Sequence, residues 1–468
     1  MTKNRFLLAI LIIALFSCTN KNQKPNDDDT PSDKDKNNSI VWKDKFGGAD
    51  YDSFSSVATV SDGVVAVGYT SNGSYQNGDF INLTAKGFTD AIIVKYATDG
   101  SIKWIKNFGG SEYNQFNSVT ATADGIVAVG DATIKRSGDI YDWTGYTGNG
   151  YTDAIIVKFD FNGDVVWKSN FGSKSNEHFY AVTAVSDGYV AVGRATEDCF
   201  GDGDWESFMP RGRDDAIIVK YNKEGNVLWK KNFGGSGMDR FNAVTAVSDG
   251  VIAVGISAAG EYYGDSFENG DWEGVSAKGG TYDGIVVKFN NDGAIAWKKN
   301  FGGESDDQFE GVTTVSDGII AVGNSSDNSF GTGDWAGYNK IGYLGDAIIV
   351  KYDFNGKIAW KKNFGDKNDR CGFCSVTEVS KGIVAVGTQT LYTFLVKCDN
   401  NGNETWRNHL GNGGSGCEFS SVTAISDGVF AVGAGQETVF GEGDWEDVPA
   451  RSDDPEMVDG LIVKFKLN

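Results

Sequence analysis

Residues 346–365 read DAIIVKYDFNGKIAWKKNFG, and residues 312–323, shortly upstream, read VTTVSDGIIAVG. The run from Ala347 to Tyr352 is almost continuously apolar and of strand length, as expected of a strand buried on both faces. It leads through Asn355-Gly356, a tight hairpin turn, into a second strand carrying Trp360. Upstream, Ser316-Asp317-Gly318 joins two further strand-like runs in the same way. Four short strands therefore belong to one unit.

That unit recurs from residue 40 onward. Trp stands at 42, 104, 167, 229, 297, 360 and 406, the Val of the V-T pair (V-A-T in the first unit) at 57, 119, 182, 244, 312, 376 and 422, and the strand Lys at 95, 158, 220, 288, 351, 397 and 464. Each series has seven members. In the first complete unit the strands are predicted over 54–60, 64–68, 91–96 and 101–106. Seven repeats of four antiparallel strands specify an all-β, seven-bladed propeller over 40–468. The reading frame is offset: the chain opens on an outer strand, 40–46, and closes on a third strand, 461–465. The two ends must complete one blade, which leaves no unpaired sheet edge.

The two-residue turn places Lys95 opposite Trp104, and by extension Lys464 opposite Trp42. A Lys stem over an indole would contribute roughly 0.5–2 kcal/mol. A lysine repeated seven times is scaffold, not a catalytic base.

The first-to-second and third-to-fourth turns are tight, whereas the second-to-third connections are long in six units. All long loops then emerge on one face, and residue 40 starts on the other. Those loops share a Gly-Asp-aromatic element at 78–80, 203–205, 270–272, 333–335 and 443–445, with Asp142-Trp143 a looser copy. Phe80, Trp143, Trp205, Trp272, Trp335 and Trp445 are candidates for stacking on a sugar or anchoring a protein. The competing reading is that each ring packs down as a small core for its own loop. Asp202, Asp204 and Glu206 could supply oxygen ligands to Ca²⁺, although the Asp-x-Asp-x-Asp-Gly pattern is absent.

A Phe precedes the V-T Val by three residues in every unit, at 54, 116, 179, 241, 309, 373 and 419, which suggests a ring packed between blades. Two positions earlier stand Asp52, Asn114, Glu177, Asp239 and Asp307, polar groups expected near the channel rim. Unit six lacks its long loop and carries Tyr392 where the others carry Asp, so Tyr392 joins the candidate ligand contacts. Cys371 and Cys417 replace the rim acid in units six and seven, with Cys374 and Cys398 nearby; a disulfide or free thiols are both open, and Cys199 is left over. A zinc site is not supported, since only one Cys-x-x-Cys exists. Two histidines, His178 and His409, fall at different places in the repeat, and no nucleophile–base constellation can be assembled around them.

The quoted stretches resemble bacterial seven-bladed propeller repeats of the SBBP type, and the resemblance spans 40–468. The NG-x-x-x-W element is also similar to the tryptophan-docking repeat of quinone-dependent dehydrogenases and of the propeller lipoprotein of outer-membrane protein assembly. Those propellers usually have eight blades, and their Ala-x-Asp-x-x-Thr-Gly pattern is not matched, so no quinone cofactor is implied. What the resemblance implies is architecture, envelope location and binding.

At the N-terminus Lys3 and Arg5 precede the apolar run 6–16, too short to span a bilayer but right for a signal peptide over 1–17. Leu15-Phe16-Ser17-Cys18 resembles a lipobox, which implies that Cys18 is lipidated; Phe16 is a less usual occupant. Residues 18–39 hold no large apolar side chain after Cys18 and read as a disordered tether. The net charge of −22 argues against nucleic acid as a partner. The expectation is a monomeric bacterial membrane lipoprotein, periplasmic or surface-exposed, held by its lipid alone and binding a glycan or an envelope protein without a cofactor. An envelope-assembly scaffold and a polysaccharide-active enzyme are the alternatives.

Overall fold

The computed structural model describes residues 40–467 apart from 136, 261, 368, 391, 412–415, 452, 453 and 455. The expected signal peptide, Cys18 and the tether lie outside the described residues. Seven antiparallel sheets follow one another around a ring. Blade one consists of Asp52–Val60, Gly63–Ser71, Thr89–Ala97 and Ile102–Phe108, paired in that order. Blade seven is Cys417–Ile425, Gly428–Gln436 and Val458–Lys466, with Ile40–Phe46 as its outer strand. Closure is therefore by the first strand against the last, and Trp42 faces Lys464 in the expected register. Blade four adds a two-residue strand, Gly264–Asp265, against its lengthened second strand, Gly250–Gly260.

Third strands are buried on both sides, with Ala91 to Val94 fully inaccessible, which explains their uninterrupted apolar sequence. Each inner strand bulges just after its Phe, as between Phe54 and Ser56. The seven Phe rings are at most 1% exposed and pack between blades: Phe54 stacks on Phe46 of blade seven at 5.0 Å. They form inter-blade core, as expected.

The Lys–Trp pairs share a register, but among the described residues no ammonium of these pairs lies over its partner indole. Lys95 runs down to Asp62 in the adjoining turn (2.9 Å), and the same ion pair links Lys158 to Asp124, Lys220 to Asp187, Lys288 to Asp249, Lys351 to Asp317 and Lys464 to Asp427. A carboxylate within reach outcompetes an indole face for the ammonium. The indole instead crosses to the next blade: Trp104 donates to the Phe161 carbonyl (3.1 Å) and Trp167 to that of Lys223 (2.9 Å). Its ring lies on the turn glycine. A Cβ at Gly225, where φ is +84°, would come within 2.7 Å of Trp167, so this position needs glycine for both conformation and space. At the chain ends no such turn exists, and Trp406 meets Phe465 instead, at 6.2 Å.

Candidate functional site

The Asp of each Gly-Asp-aromatic element clips its long loop to the preceding blade. Asp334 accepts from the Gly302 amide (3.1 Å) and its own amide donates to the Gly302 carbonyl (2.8 Å). The same reciprocal pair joins Asp79 to Gly47, Asp142 to Gly109, Asp204 to Gly172, Asp271 to Gly234 and Asp444 to Gly411. The following aromatic then drives inward. Phe80, Trp143, Trp205, Trp272, Trp335 and Trp445 are all fully buried, which corrects their candidacy as ligand contacts: no face of these rings is open to stack on a sugar. Trp335 meets Phe301, Phe330 and Tyr338 at 5.0–5.4 Å, and the packing reading of the loop aromatics is the one the structure shows.

The expected rim acids are buried too. Asp52, Glu177, Asp239 and Asp307 are inaccessible and Asn114 is 1% exposed, so they cannot meet a ligand at the channel mouth. They tie the loops down: Asp307 accepts from the Gly303 amide (2.8 Å), the Ser329 hydroxyl (2.8 Å) and the Trp335 indole (3.3 Å). Burial pushes the carboxyls of Asp52, Glu177 and Asp239 up to about 7 and that of Asp307 up to about 6, against hydrogen bonds that favour the charged form. A folded-state value above the unfolded one means that the fold binds the proton more tightly. This stabilisation is complete below the unfolded value near 4 and is lost as pH rises through about 6 to 7. The thermal midpoint should therefore fall between about pH 5 and pH 8, a window above that of Asp62, Asp124, Asp187, Asp249 and Asp317, which their lysines hold low. Blade two already uses the neutral Asn114, whose Oδ1 accepts from Gly110 and Trp143. Asp239→Asn with Asp307→Asn should accordingly flatten the pH profile; a midpoint that is level or rises over this range in the unmutated protein would contradict the assignment.

Asp204 is held by its clip, and Asp202 and Glu206 are exposed beside it. No group of three or more acidic, His or Cys side chains among the described residues is arranged to hold a metal ion, so the structure does not assemble the calcium candidate. Cys371 and Cys417 are free thiols, as are Cys199, Cys374 and Cys398, which corrects the disulfide alternative; burial pushes the Cys371 thiol up to about 12 and that of Cys417 higher still. Tyr392 is half-buried, edge-on to His409 at 6.4 Å.

At the closing seam a buried charge cluster stands where other blades pair Asp with Asn. Lys45 lies 3.0 Å from Glu437 and 3.1 Å from Asp459, and all three side chains are at most 4% exposed. Arg451 adds contacts to Asp459 (3.7 Å) and, across the seam, to Asp79 of blade one (2.9 Å). Burial and the neighbouring Glu437 push Asp459 up to about 8, while Glu437 is held low by hydrogen bonds from Asp459, the Arg451 amide and Lys45.

Sequence reasoning missed the exposed aromatics of the loop face. Tyr51, Phe88, Tyr141, Tyr151, Tyr262 and Tyr343 are 38–79% exposed, and all lie on second-to-third loops or blade connections. Ile81, Ile140, Met209, Ile341 and Leu344 are exposed among them. Phe88 stacks on Tyr113 of the next connection at 5.4 Å, and Tyr263 on Tyr282 at 5.3 Å. The usable signal was variation: the position two before the third-strand Asp holds Phe88, Tyr151, Arg213, Thr281 and Leu344 in successive blades, while the Asp and the apolar run after it repeat.

No family model matches this chain. Among curated proteins it is 23% identical over 192 residues to "Regulatory protein FlaEY" of Caulobacter vibrioides, covering 39% of this chain and 20% of that protein. It is 30% identical over 169 residues to a protein of Aquifex aeolicus described as uncharacterized, covering 32% of this chain and 44% of that one. The chain thus spans less than half the length of the curated relatives it matches. Among solved structures it is similar to BamB from Moraxella catarrhalis (15% identity, TM-score 0.42, 92% of this chain and 99% of that one) and to the WD40 propeller domain of Doa1 (12%, 0.44, 92% and 97%). It is also similar to the WD40 domain of Neurospora crassa Pan2 (8%, 0.44, 91% and 97%).

Proposed function

We propose that the protein is a bacterial cell-envelope lipoprotein, acylated on Cys18, whose loop face binds a protein partner. The supporting observation is how exposed apolar side chains are distributed. On the opposite, outer edge they repeat from blade to blade at the start of the outer strands, as Ile102, Val165, Val227 and Ile295, in keeping with a scaffold role. On the loop face they differ in every blade and include adjacent exposed pairs, Ile140 with Tyr141 and Tyr343 with Leu344, and exposed apolar side chains gathered on one face support an interaction surface. A protein partner is favoured over a glycan because aliphatic side chains such as Ile81, Met209 and Leu344 are interspersed with the rings, whereas sugars are held by flat ring faces with polar groups at their edges.

Two measurements test this. Cys18→Ser should abolish incorporation of a labelled fatty acid and release the chain from the membrane fraction; retention of both would refute lipid anchoring. Site-specific photo-crosslinkers at Tyr151 and Tyr343 should each capture one defined envelope protein, lost on changing Phe88, which holds the equivalent position of the adjacent blade, and Leu344 to Asp, while a crosslinker at Val166 should not. Equal capture from Val166, or binding on a glycan array that these changes remove, would overturn the protein-partner reading.

A further inference from the structure

The loops of blades three and four differ from the rest in two ways at once. Residues 197–213 and 261–281 hold ten acidic residues against three basic ones, whereas the loops of blades one, two and five, 72–89, 133–152 and 327–345, together hold five and four. Blade four also departs in its backbone. Its second strand, Gly250–Gly260, is 11 residues long where Gly188–Thr196 of blade three has 9, and it turns back as Gly264–Asp265. Tyr262 and Tyr263 stand in the turn of this hairpin.

These rings are held from behind. Tyr263 stacks on Tyr282 (5.3 Å) with the Arg213 guanidinium near its face (5.8 Å), and Tyr262 meets Tyr263 edge-on at 4.6 Å. Tyr262 is nevertheless 79% exposed, and Met209, on the adjoining loop, 78%. A fixed, exposed tyrosine offers contact area at little further loss of entropy, and tyrosine is enriched among the residues that anchor interfaces. The two loops form one surface, since Arg211 of the first pairs with Asp271 of the second (2.9 Å). Cations nearby are already engaged: Arg213 lies by Tyr263, and Lys278 pairs with Asp334 (3.5 Å). Asp198, Asp202, Glu206 and Glu273, by contrast, are exposed and enter no ion pair among the described residues. The loop of blade seven, 437–457, is also acidic, with eight acids and one arginine, yet its two aromatics, Phe440 and Trp445, are buried, so it presents charge without a ring.

We propose that the patch on blades three and four anchors the loop-face interface and receives a cationic segment of the partner protein, rich in lysine or arginine, whose alkyl stems lie on Tyr262 and whose charges face Asp202, Glu206 and Glu273. This assignment rests on the protein-binding reading above. Guanidinium and ammonium groups gain from an aromatic face and from carboxylates together, and acids left without counter-charges around a fixed ring steer basic segments toward it while repelling acidic ones. Fluorescence anisotropy of the full-length protein with a labelled short peptide alternating arginine and alanine, and with the same peptide carrying glutamate for arginine, tests it. The arginine peptide should bind saturably and the glutamate peptide not at all. Tyr262→Ser combined with Tyr263→Ser should weaken binding at least about tenfold, as should Asp202→Asn, Glu206→Gln and Glu273→Gln together. Because the net charge of −22 attracts cations everywhere, the decisive comparison is an equal charge change at exposed acids of the opposite face. Glu224→Gln, Asp292→Asn and Glu378→Gln together should alter affinity by less than about twofold. Failure of the arginine peptide to bind, equal losses from the two acid sets, or indifference to the tyrosine changes would each overturn the assignment. Capture from Tyr151 and Tyr343 that persists alongside any of these results would leave protein binding itself standing.

Discussion

Replacing Lys45 with alanine should lower the unfolding free energy by about 3–5 kcal/mol, because it leaves Glu437 and Asp459 facing each other in the seam with their common cation gone. The ammonium also sits over the Phe440 ring at 4.5 Å, so packing is lost together with charge. The strand that carries Lys45 closes the ring, and the damage should show as protease sensitivity near residue 40 before the remaining blades unfold. Combining Lys45→Ala with Glu437→Gln should recover part of the loss, because the orphaned charge is then removed. A shift in the urea midpoint worth less than about 1 kcal/mol at constant slope, with no recovery in the double variant, would show that the cluster contributes little.

Trp335→Ala should cost a comparable amount, about 3–5 kcal/mol, since a fully buried indole leaves a cavity that three surrounding rings cannot close. Its N–H donates to the Ser325 hydroxyl (2.8 Å) and to Asp307, whereas the Trp205 N–H has no acceptor among the described residues. Trp335→Phe should consequently destabilise more than Trp205→Phe, by about 1 kcal/mol, through the polar partners left unsatisfied. Partner affinity per folded molecule should stay the same in all three variants. A large loss of affinity in protein that is still fully folded would return these indoles to the binding surface.

Architecture was legible because the chain is its own alignment: Phe54 and its six counterparts, or Lys95 and its counterparts, occupy one environment seven times over, so one pattern had to satisfy them all. Closure was readable from the outer-strand start at Ile40, and the Trp42–Lys464 register followed from turn length alone. Side-chain direction was not. Spacing could place Lys95 opposite Trp104, yet the pull of Asp62 on one and the Gly163 surface offered to the other are tertiary facts. The same limit explains the loop tryptophans and the rim acids. Spacing left stacking on a ligand and packing within the loop both open at Trp205, Trp272 and Trp335, and identity across blades is what packing imposes. Tyr151 and Tyr343 carry no repeat signature, and single positions of that kind stand out only once the surface is known.

The reciprocal Asp–Gly bonds have a bearing on how such a surface can change. Each loop is fastened at its base to the preceding blade and again where the third strand begins, so the stretch between, such as 336–344 or 206–213, is a cassette bounded by two rivets. Lengthening a cassette at its exposed tip, clear of Tyr338 against Trp335 and of Arg211 paired with Asp271 of the next loop (2.9 Å), should disturb little beneath it, because loop-closure entropy grows only slowly with added residues. A grafted recognition segment at any of these sites should leave the other five faces of the crown as they were.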